Sequence, residues 1–538
     1  MITEKNIDSV ERSTKAATPT SEVTKLNGSN QAYHLDVHDL DRVQRRLKQR
    51  HVQMIAIAGT IGTGLFLGSG HALQGAGPLG ALIAYALVGT VAYASLCSVA
   101  EMTTFAPISG TFPHYAGRWV DPALGFAVGW NYFYINAIST PSEISAAKSH
   151  VAIYTALPLA AHEGGRWFGE VSFFSIAEVA LLTISLEVSL ILALLLSGLI
   201  IDLGGGPQKD RIGFRYWKHP GALAGAGLVS NINTDRFLGI LTVLVQAAFS
   251  FQSIELVAIA ASEAESPRRN ITKAVRRVFW RIFIFYILGV IVIGMLVAYN
   301  DEALLDDTGT AAQSPFVIAM NRAGVKVFPH IINAGIFTSA FSAGNSFIYC
   351  SSRILYGLAL RGQAPRIFAY CTKKGLPLNA GCFALLSFMT VSSGSETVFN
   401  WFVNLSTTAG FASWFSINLT YIFFYRGMKA QGFDLKRNAY NNPWQPYVAY
   451  WGVGWNLFFI LVTGFDVFFN FTAADFLTSY LNIPIFASLY IGYKLFKRTH
   501  IWKPEDMDFI TGIPSPEETE TPEIPPKNIW ERIAGILF

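Results

Sequence analysis

The chain has 538 residues, of which 51% are hydrophobic and only 14% charged. A soluble domain carries about 25% charged residues, so this composition excludes a string of soluble domains and points to a polytopic membrane protein. The net charge of +4 is small, and its distribution along the chain says more than its size. Four cysteines, Cys97, Cys350, Cys371 and Cys382, lack the spacing of a disulfide framework or a zinc site. No metal-ligand set, nucleophile–base constellation or nucleic-acid motif stands out, so the chain does not read as an enzyme and no metal or organic cofactor is expected.

Residues 1–50 are polar and lack the apolar core of a secretory signal. They read as a disordered N-terminal tail. A transmembrane region follows over 51–498, and 499–538 form a C-terminal tail whose Pro- and Glu-rich part, 504–527, also reads as disordered. Hydropathy places spans at 52–73, 78–104, 122–147, 151–161, 171–201, 236–262, 279–299, 327–356, 379–392, 399–425, 446–470 and 472–496. That is about 12 helices, with the fourth and ninth short of the ~20 residues a bilayer needs.

The positive-inside rule orients them. Basic clusters precede the first span (Arg42, Arg45, Arg46, Lys48, Arg50) and follow the sixth (Arg268, Arg269, Lys273, Arg276, Arg277), eighth and tenth. An acidic loop, Asp301 to Asp307, follows the seventh. Both termini are therefore expected in the cytoplasm. The loop after the fifth span, with Lys209, Arg211, Arg215 and Lys218, runs against this pattern.

Two spans carry defects. The first holds Gly59-Thr60-Ile61-Gly62-Thr63-Gly64 at its centre. Glycine costs about 1 kcal/mol relative to alanine inside a helix, and non-helical backbone at membrane depth survives only where it lines a protein cavity. The sixth span holds Ser250, Gln252, Ser253 and Glu255 within an apolar run. Matching interruptions in spans one and six suggest two five-helix repeats of inverted topology with the binding site between them. Free N–H groups near Thr63 and Gly64 suit a carboxylate. Carbonyls near Thr60, Phe249 and Gln252 suit an ammonium group. Phe249 or Phe251 is placed to close over a ligand, which makes a zwitterion the natural substrate. Glu255, an ionisable group within a span, is a functional candidate by default.

The motifs IGTGLFLGSG (61–70), EMTTFAPISGTFPHYAGRWVDPALGFAVGWNY (101–132), SAGNSFIYCSSRILYGLALRGQAPRIF (342–368) and SSGSETVFNWFVNLSTTAGFASWFSI (392–417) resemble the fungal amino acid permeases of the amino acid–polyamine–organocation superfamily. So does the IDLGGGP…IGFRYWKHPGAL run over 201–223. The resemblance implies an all-α, LeuT-like fold with broken helices 1 and 6 and two extra C-terminal helices. It implies import of amino acids across the plasma membrane by proton symport. It assigns Gly62, Thr63 and Gly64 to the substrate carboxylate, and Thr60, Phe249 and Gln252 to its ammonium. Glu143 falls at a position linked to substrate selection, and Glu255 and Glu101 become candidates for proton coupling, Glu101 more as a helix-end contact. Lysines in the N-terminal tail (Lys5, Lys15, Lys25) become candidate sites for the ubiquitin-ligase and trafficking machinery.

The chain departs from the family at the fourth span, where residues 146–165 replace the usual long apolar helix, and at two further points. Ser253-Ile254 stands where a glycine often precedes the span-six glutamate, so a side chain at 253 narrows or polarises the site. On span five, Glu178 or Glu187 stands where the family commonly has a lysine. A non-transporting amino acid sensor, or a carrier of a polyamine or other organic cation, is the alternative on the same fold.

Overall fold

The computed structural model describes Gly64, Gly68 and residues 69–108, 110–146, 173–262, 264–305, 314–325, 328–369 and 395–520. The short spans expected at 151–161 and 379–392, the site candidates Thr60, Gly62 and Thr63, and the N-terminal lysines lie outside the described residues.

Among the described residues every regular element is helical. Helix α1 (Ser69–Phe105) is two helices joined at Gly77, whose φ of 73° breaks the run just before Pro78. A Cβ at Gly77 would sit 2.7 Å from the backbone nitrogen of Ala224, so the chain crosses itself there with no room for a side chain. Helix α2 (Thr111–Trp119) and helix α3 (Pro122–Ala146) follow, the latter started by Asp121, whose Oδ1 accepts the Ala123 N–H at 2.9 Å. Helix α4 (Phe173–Asp202) carries Glu178 and Glu187 along its backbone.

The sixth expected span is divided. Helix α5 (Ile232–Thr242), capped by the Asn231 side chain, runs into α6 (Leu244–Phe251), and α7 (Leu256–Ser262) resumes beyond the gap. Helix α8 (Pro267–Arg281) begins with proline at its first turn, passes through a π-helical stretch at Ile282–Leu288 and continues as α9 (Gly289–Leu296). Helices α10 (Pro315–Arg322), α11 (Phe328–Leu360), α12 (Ser395–Ala430), α13 (Tyr447–Val462), α14 (Ala473–Tyr480) and α15 (Asn482–Lys497) complete the bundle.

Among the described residues four helical runs are each long and apolar enough to cross a bilayer: Ser69–Phe105, Ile232–Ala260, Pro267–Leu296 and Tyr447–Phe468. The chain is thus a multi-pass membrane protein. At its centre α3 packs on α11 and α12, and α1 packs on α6, α8, α9, α12 and α13. In the discordant basic loop, Arg215 donates to both carboxylate oxygens of Asp210 at 2.9 and 2.7 Å, so one of its four cations is neutralised locally.

The C-terminal tail corrects an expectation. Residues 499–520 are not free coil but a clasp laid across the ends of α1, α2, α8 and α12. Arg118, buried on α2, donates to the carbonyls of Asp508 (2.8 Å) and Thr511 (2.5 Å) and pairs with the Asp508 carboxylate at 3.1 Å. Arg268, buried on α8, donates to the carbonyls of Thr104 (3.0 Å) and Pro514 (2.6 Å) and to the Thr519 hydroxyl (2.6 Å). Phe509 is buried against Phe105, Trp119, Phe424 and Phe433, with ring centroids 5.6 to 5.9 Å apart. Composition misreads this segment because two apolar residues, Met507 and Phe509, are buried and the tail's carbonyls meet two guanidinium groups that need acceptors. Burying one Phe offsets about 2 kcal/mol of ordering entropy.

Candidate functional site

The gap between α6 and α7 spans residues 252–255. It begins where Gln252 leaves the helix with φ −54° and ψ 150°. Ser253 then takes φ 69°. That is the left-handed region, which costs a residue with a Cβ about 1–2 kcal/mol. The position where glycine was expected thus has a backbone that asks for glycine, and serine occupies it under strain.

Gly64 of the first expected span meets α6 just before this gap, while the Gly59–Thr63 stretch expected to break lies outside the described residues. A Cβ on Gly64 would lie 2.8 Å from Cα of Ser250, so only glycine allows the backbones this close. Ser250 locks the junction. Its Oγ lies 2.8 Å from the Gly64 carbonyl and 2.9 Å from that of Gln246, which compete for its one proton. The Tyr85 hydroxyl of α1 donates to the same Oγ at 2.9 Å. Tyr286, presented by the π-helical stretch, donates to the Ser250 carbonyl at 2.8 Å. Four segments are therefore fastened at one serine.

Around the gap the polar groups are only partly satisfied. Gln252 Nε2 donates to the Ser406 carbonyl of α12 at 2.6 Å, a contact made possible by Gly410, where a Cβ would come within 2.9 Å of that nitrogen. Its Oε1 is buried without a partner, as is Oγ1 of Thr407 on α12. The Phe249 carbonyl accepts the Gln252 N–H at 3.2 Å, which uses one of the two lone pairs expected to face an ammonium group. The Phe249 ring is buried with Val245 and Val403. Glu255 is buried, and its Oε2 accepts the Trp414 Nε1–H of α12 at 3.0 Å. Tyr132 on α3 interacts with the same carboxylate, though its hydroxyl closes no hydrogen bond.

Gly64 thus packs on the segment that carries Phe249, Gln252, Ser253 and Glu255. Glu143 is buried farther along α3, its Cβ facing Gly344 of α11 at a distance that leaves room for only one added methyl group. Glu101 belongs to another neighbourhood. The Tyr421 hydroxyl and the Asn442 N–H (2.7 Å) each donate to one of its carboxylate oxygens, and Asn438 donates to its carbonyl at 2.8 Å. It ties the end of α1 to α12 and to the segment leading into α13. Trp414, Tyr85 and Tyr286 were missed in the sequence. Trp414 lies inside the quoted FASWFSI motif, which was a signal; nothing local marks the two tyrosines.

An apolar groove lined by Gly89, Phe279, Phe283, Tyr447 and Trp451 lies between α1, the α8 region and α13, apart from this polar crossing.

The Amino acid permease family model matches residues 51–504. The chain is 38% identical over 531 residues to the dicarboxylic amino acid permease of Saccharomyces cerevisiae, covering 94% of this chain and 86% of the relative. It is 37% identical to that organism's lysine-specific permease, covering 98% and 87%. It is 38% identical to the proline-specific permease of Emericella nidulans, covering 94% and 95%. Solved structures of an Eremococcus coleocola manganese transporter share the fold, one with a TM-score of 0.53 over 86% of this chain and 98% of that one at 12% identity. With the family model matching residues 51–504 and 37–38% identity to fungal permeases over most of the chain, this chain belongs to the amino acid permease family.

Proposed function

We propose that the protein imports an amino acid, or a close derivative, across the plasma membrane by proton symport with alternating access. The observation that carries this reading is the close contact of Gly64 with Ser250 at the interrupted sixth span, next to the buried carboxylate of Glu255. Such breaks leave N–H and carbonyl groups to a ligand at mid-membrane depth. Glu255 is the proton-coupling residue in this reading, since it is a buried ionisable group within a span, its carboxylate accepting the Trp414 indole N–H. Glu101, with both oxygens bonded at the end of α1, acts as a tie. The proton is the coupling ion, with no metal or organic cofactor.

About twelve spans in a LeuT-like pair of inverted five-helix repeats, followed by two further helices, accommodate this mechanism. Basic loops favour cytoplasmic termini, with the N-terminal lysines offered to ubiquitin ligases. The first-break contacts engage atoms common to all amino acids. This fits the near-equal identity to relatives named for dicarboxylic acids, lysine and proline. Substrate choice then lies with Glu143, Gln252 and Ser253.

The test is radiolabelled uptake in permease-deficient yeast, with acidic, basic and neutral amino acids at acid and neutral pH. Uptake of at least one, faster at acid pH, is expected. Surface-localised protein that takes up none would sink the reading and leave the sensor alternative. Glu255→Gln is expected to flatten the pH dependence; a profile unchanged from wild type removes Glu255 from coupling.

A further inference from the structure

Helix α3 carries four buried polar residues on one stripe: Tyr132, Asn136, Ser139 and Glu143. Their spacing of four, three and four residues keeps them on a single face. The stripe spans about 16 Å at a rise of ~1.5 Å per residue. Each is 3% exposed or less. Three of them hold an orphaned atom: the Tyr132 hydroxyl, Asn136 Oδ1 and Ser139 Oγ find no hydrogen-bond partner. Asn136 is oriented rather than loose, because its Nδ2 donates to the Tyr132 carbonyl at 2.8 Å and leaves Oδ1 aimed away. Pro141, within the same helix, has no N–H to give the Ala137 carbonyl, which adds an acceptor near the Glu143 end. Native interiors leave few such groups unpaired, and those that remain are met by buried water.

One end of the stripe is a carboxyl group, Glu143. The other end, Tyr132, interacts with the Glu255 carboxylate at the α6–α7 gap. At the Tyr132 end of the stripe, the facing ionisable groups are Glu255 from the α6–α7 gap and Cys350 from α11. From α12 the facing polar group is the indole of Trp414, which does not titrate. The charges that α2 and α15 bring near α3, Arg118 and Lys494, sit at its opposite start, Lys494 on Asp121.

We infer that this stripe is the proton route of the transporter, a file of water running from Glu143 past Ser139, Asn136 and Tyr132 to Glu255. The inference rests on the proton-symport reading above. In the step, the O–H bond of the Glu143 carboxylic acid breaks and its proton passes to a water. Each water takes one proton and hands on another, and the last forms the O–H bond on the Glu255 carboxylate. One unit of positive charge moves along α3, and nothing is oxidised or reduced. Ser139 and Tyr132 can each donate and accept, whereas Asn136 Oδ1 only accepts and so orients a water.

The experiment uses the full-length protein in vesicles of phosphatidylcholine, phosphatidylglycerol and ergosterol enclosing a pH-sensitive dye. The probe is labelled L-glutamate, L-lysine or L-proline, whichever the wild type exchanges. Ser139→Val and Asn136→Leu are expected to cut uptake driven by a pH gradient, and the acidification that accompanies it, about tenfold. Exchange of labelled for unlabelled amino acid at equal pH should stay within about twofold, and Ser139→Thr should restore driven uptake. Driven uptake undiminished in both variants overturns the route while leaving symport intact. Exchange lost in step with driven uptake also overturns it, since the residues then act on structure alone. A wild type that takes up the probe without acidification removes the symport reading itself.

Discussion

The gap at Gln252–Glu255 and the clasp around Arg268 both bury polar groups within a membrane protein, and they leave them in opposite states. At the gap, Gln252 Oε1, Thr407 Oγ1 and the Tyr132 hydroxyl lack partners, and Ser253 sits at φ 69°. In the clasp, the Arg268 side chain makes five hydrogen bonds, to the carbonyls of Thr104, Phe105, Pro514 and Ser515 and to the Thr519 hydroxyl. Unmet polar capacity costs stability, so it persists where a ligand or water supplies the missing bonds. Full satisfaction marks a part of the molecule that works by staying closed. The contrast separates the part of the bundle that handles substrate from the part that holds helix ends together.

The largest effect is expected from removing the centre of the clasp. Arg268→Ala leaves several buried acceptors unmet and should destabilise the protein by at least about 3 kcal/mol. Thermal unfolding in detergent measures it, and limited proteolysis should show the tail released. Arg268→Lys should not rescue, because a single ammonium cannot span acceptors on both α1 and the tail. A tail that stays protected in Arg268→Ala would break the comparison from the clasp side.

Gly64→Ala tests the gap side. Its Cβ would meet Ser250 backbone at 2.8 Å, so the breaks must move apart at a cost of about 1–3 kcal/mol, with uptake lost. Wild-type uptake by this variant would show that the crossing does not hold the substrate.

Ser253→Gly is expected to act with the opposite sign. It relieves left-handed strain and should stabilise the fold by roughly 1 kcal/mol, read as a raised unfolding temperature. A change in substrate preference with it would place the Ser253 side chain in selection.

The smallest effect concerns acid. Burial pushes the Asp508 carboxyl up, but the Thr511 and Ile510 N–H groups and the Arg118 charge outweigh it and hold it below the ordinary 3.8. A carboxylate held down in the folded state contributes its stability above the unfolded value, and loses it as pH falls through the folded one. The tail should therefore stay docked through neutral and mildly acid pH and loosen only below about pH 4. Asp508→Asn should abolish that acid step. Proteolysis of the tail across a pH series reads both.

The interruption of the sixth span was legible in the chain because Ser, Gln and Glu stand out within an apolar run. The division between α6 and α7 falls at Gln252–Glu255, inside the stretch expected. Glu255 and Glu143 were visible for the same reason, since ionisable groups are rare inside spans. The partner of Glu255 was not visible. Trp414 lies 159 positions away, and an indole in an apolar helix looks like packing until a carboxylate is found beside it. The stripe on α3 was written in the spacing of Tyr132, Asn136, Ser139 and Glu143, but the same spacing serves a packed helix interface; what marks it is that three of the four have polar atoms with no partner.

Composition and motif order by themselves determined the membrane class, the family and the place where the sixth span breaks. These depend on local chemistry: how apolar a run is, and which residues a helix tolerates inside it. The tertiary structure alone decided that Ser250 joins four segments, that Ser253 stands in a glycine's conformation, and that a Pro- and Glu-rich tail folds onto the bundle. Each of those depends on which distant groups arrive beside a residue, and the free energy of a buried polar group is set by its partners rather than by its neighbours in the chain.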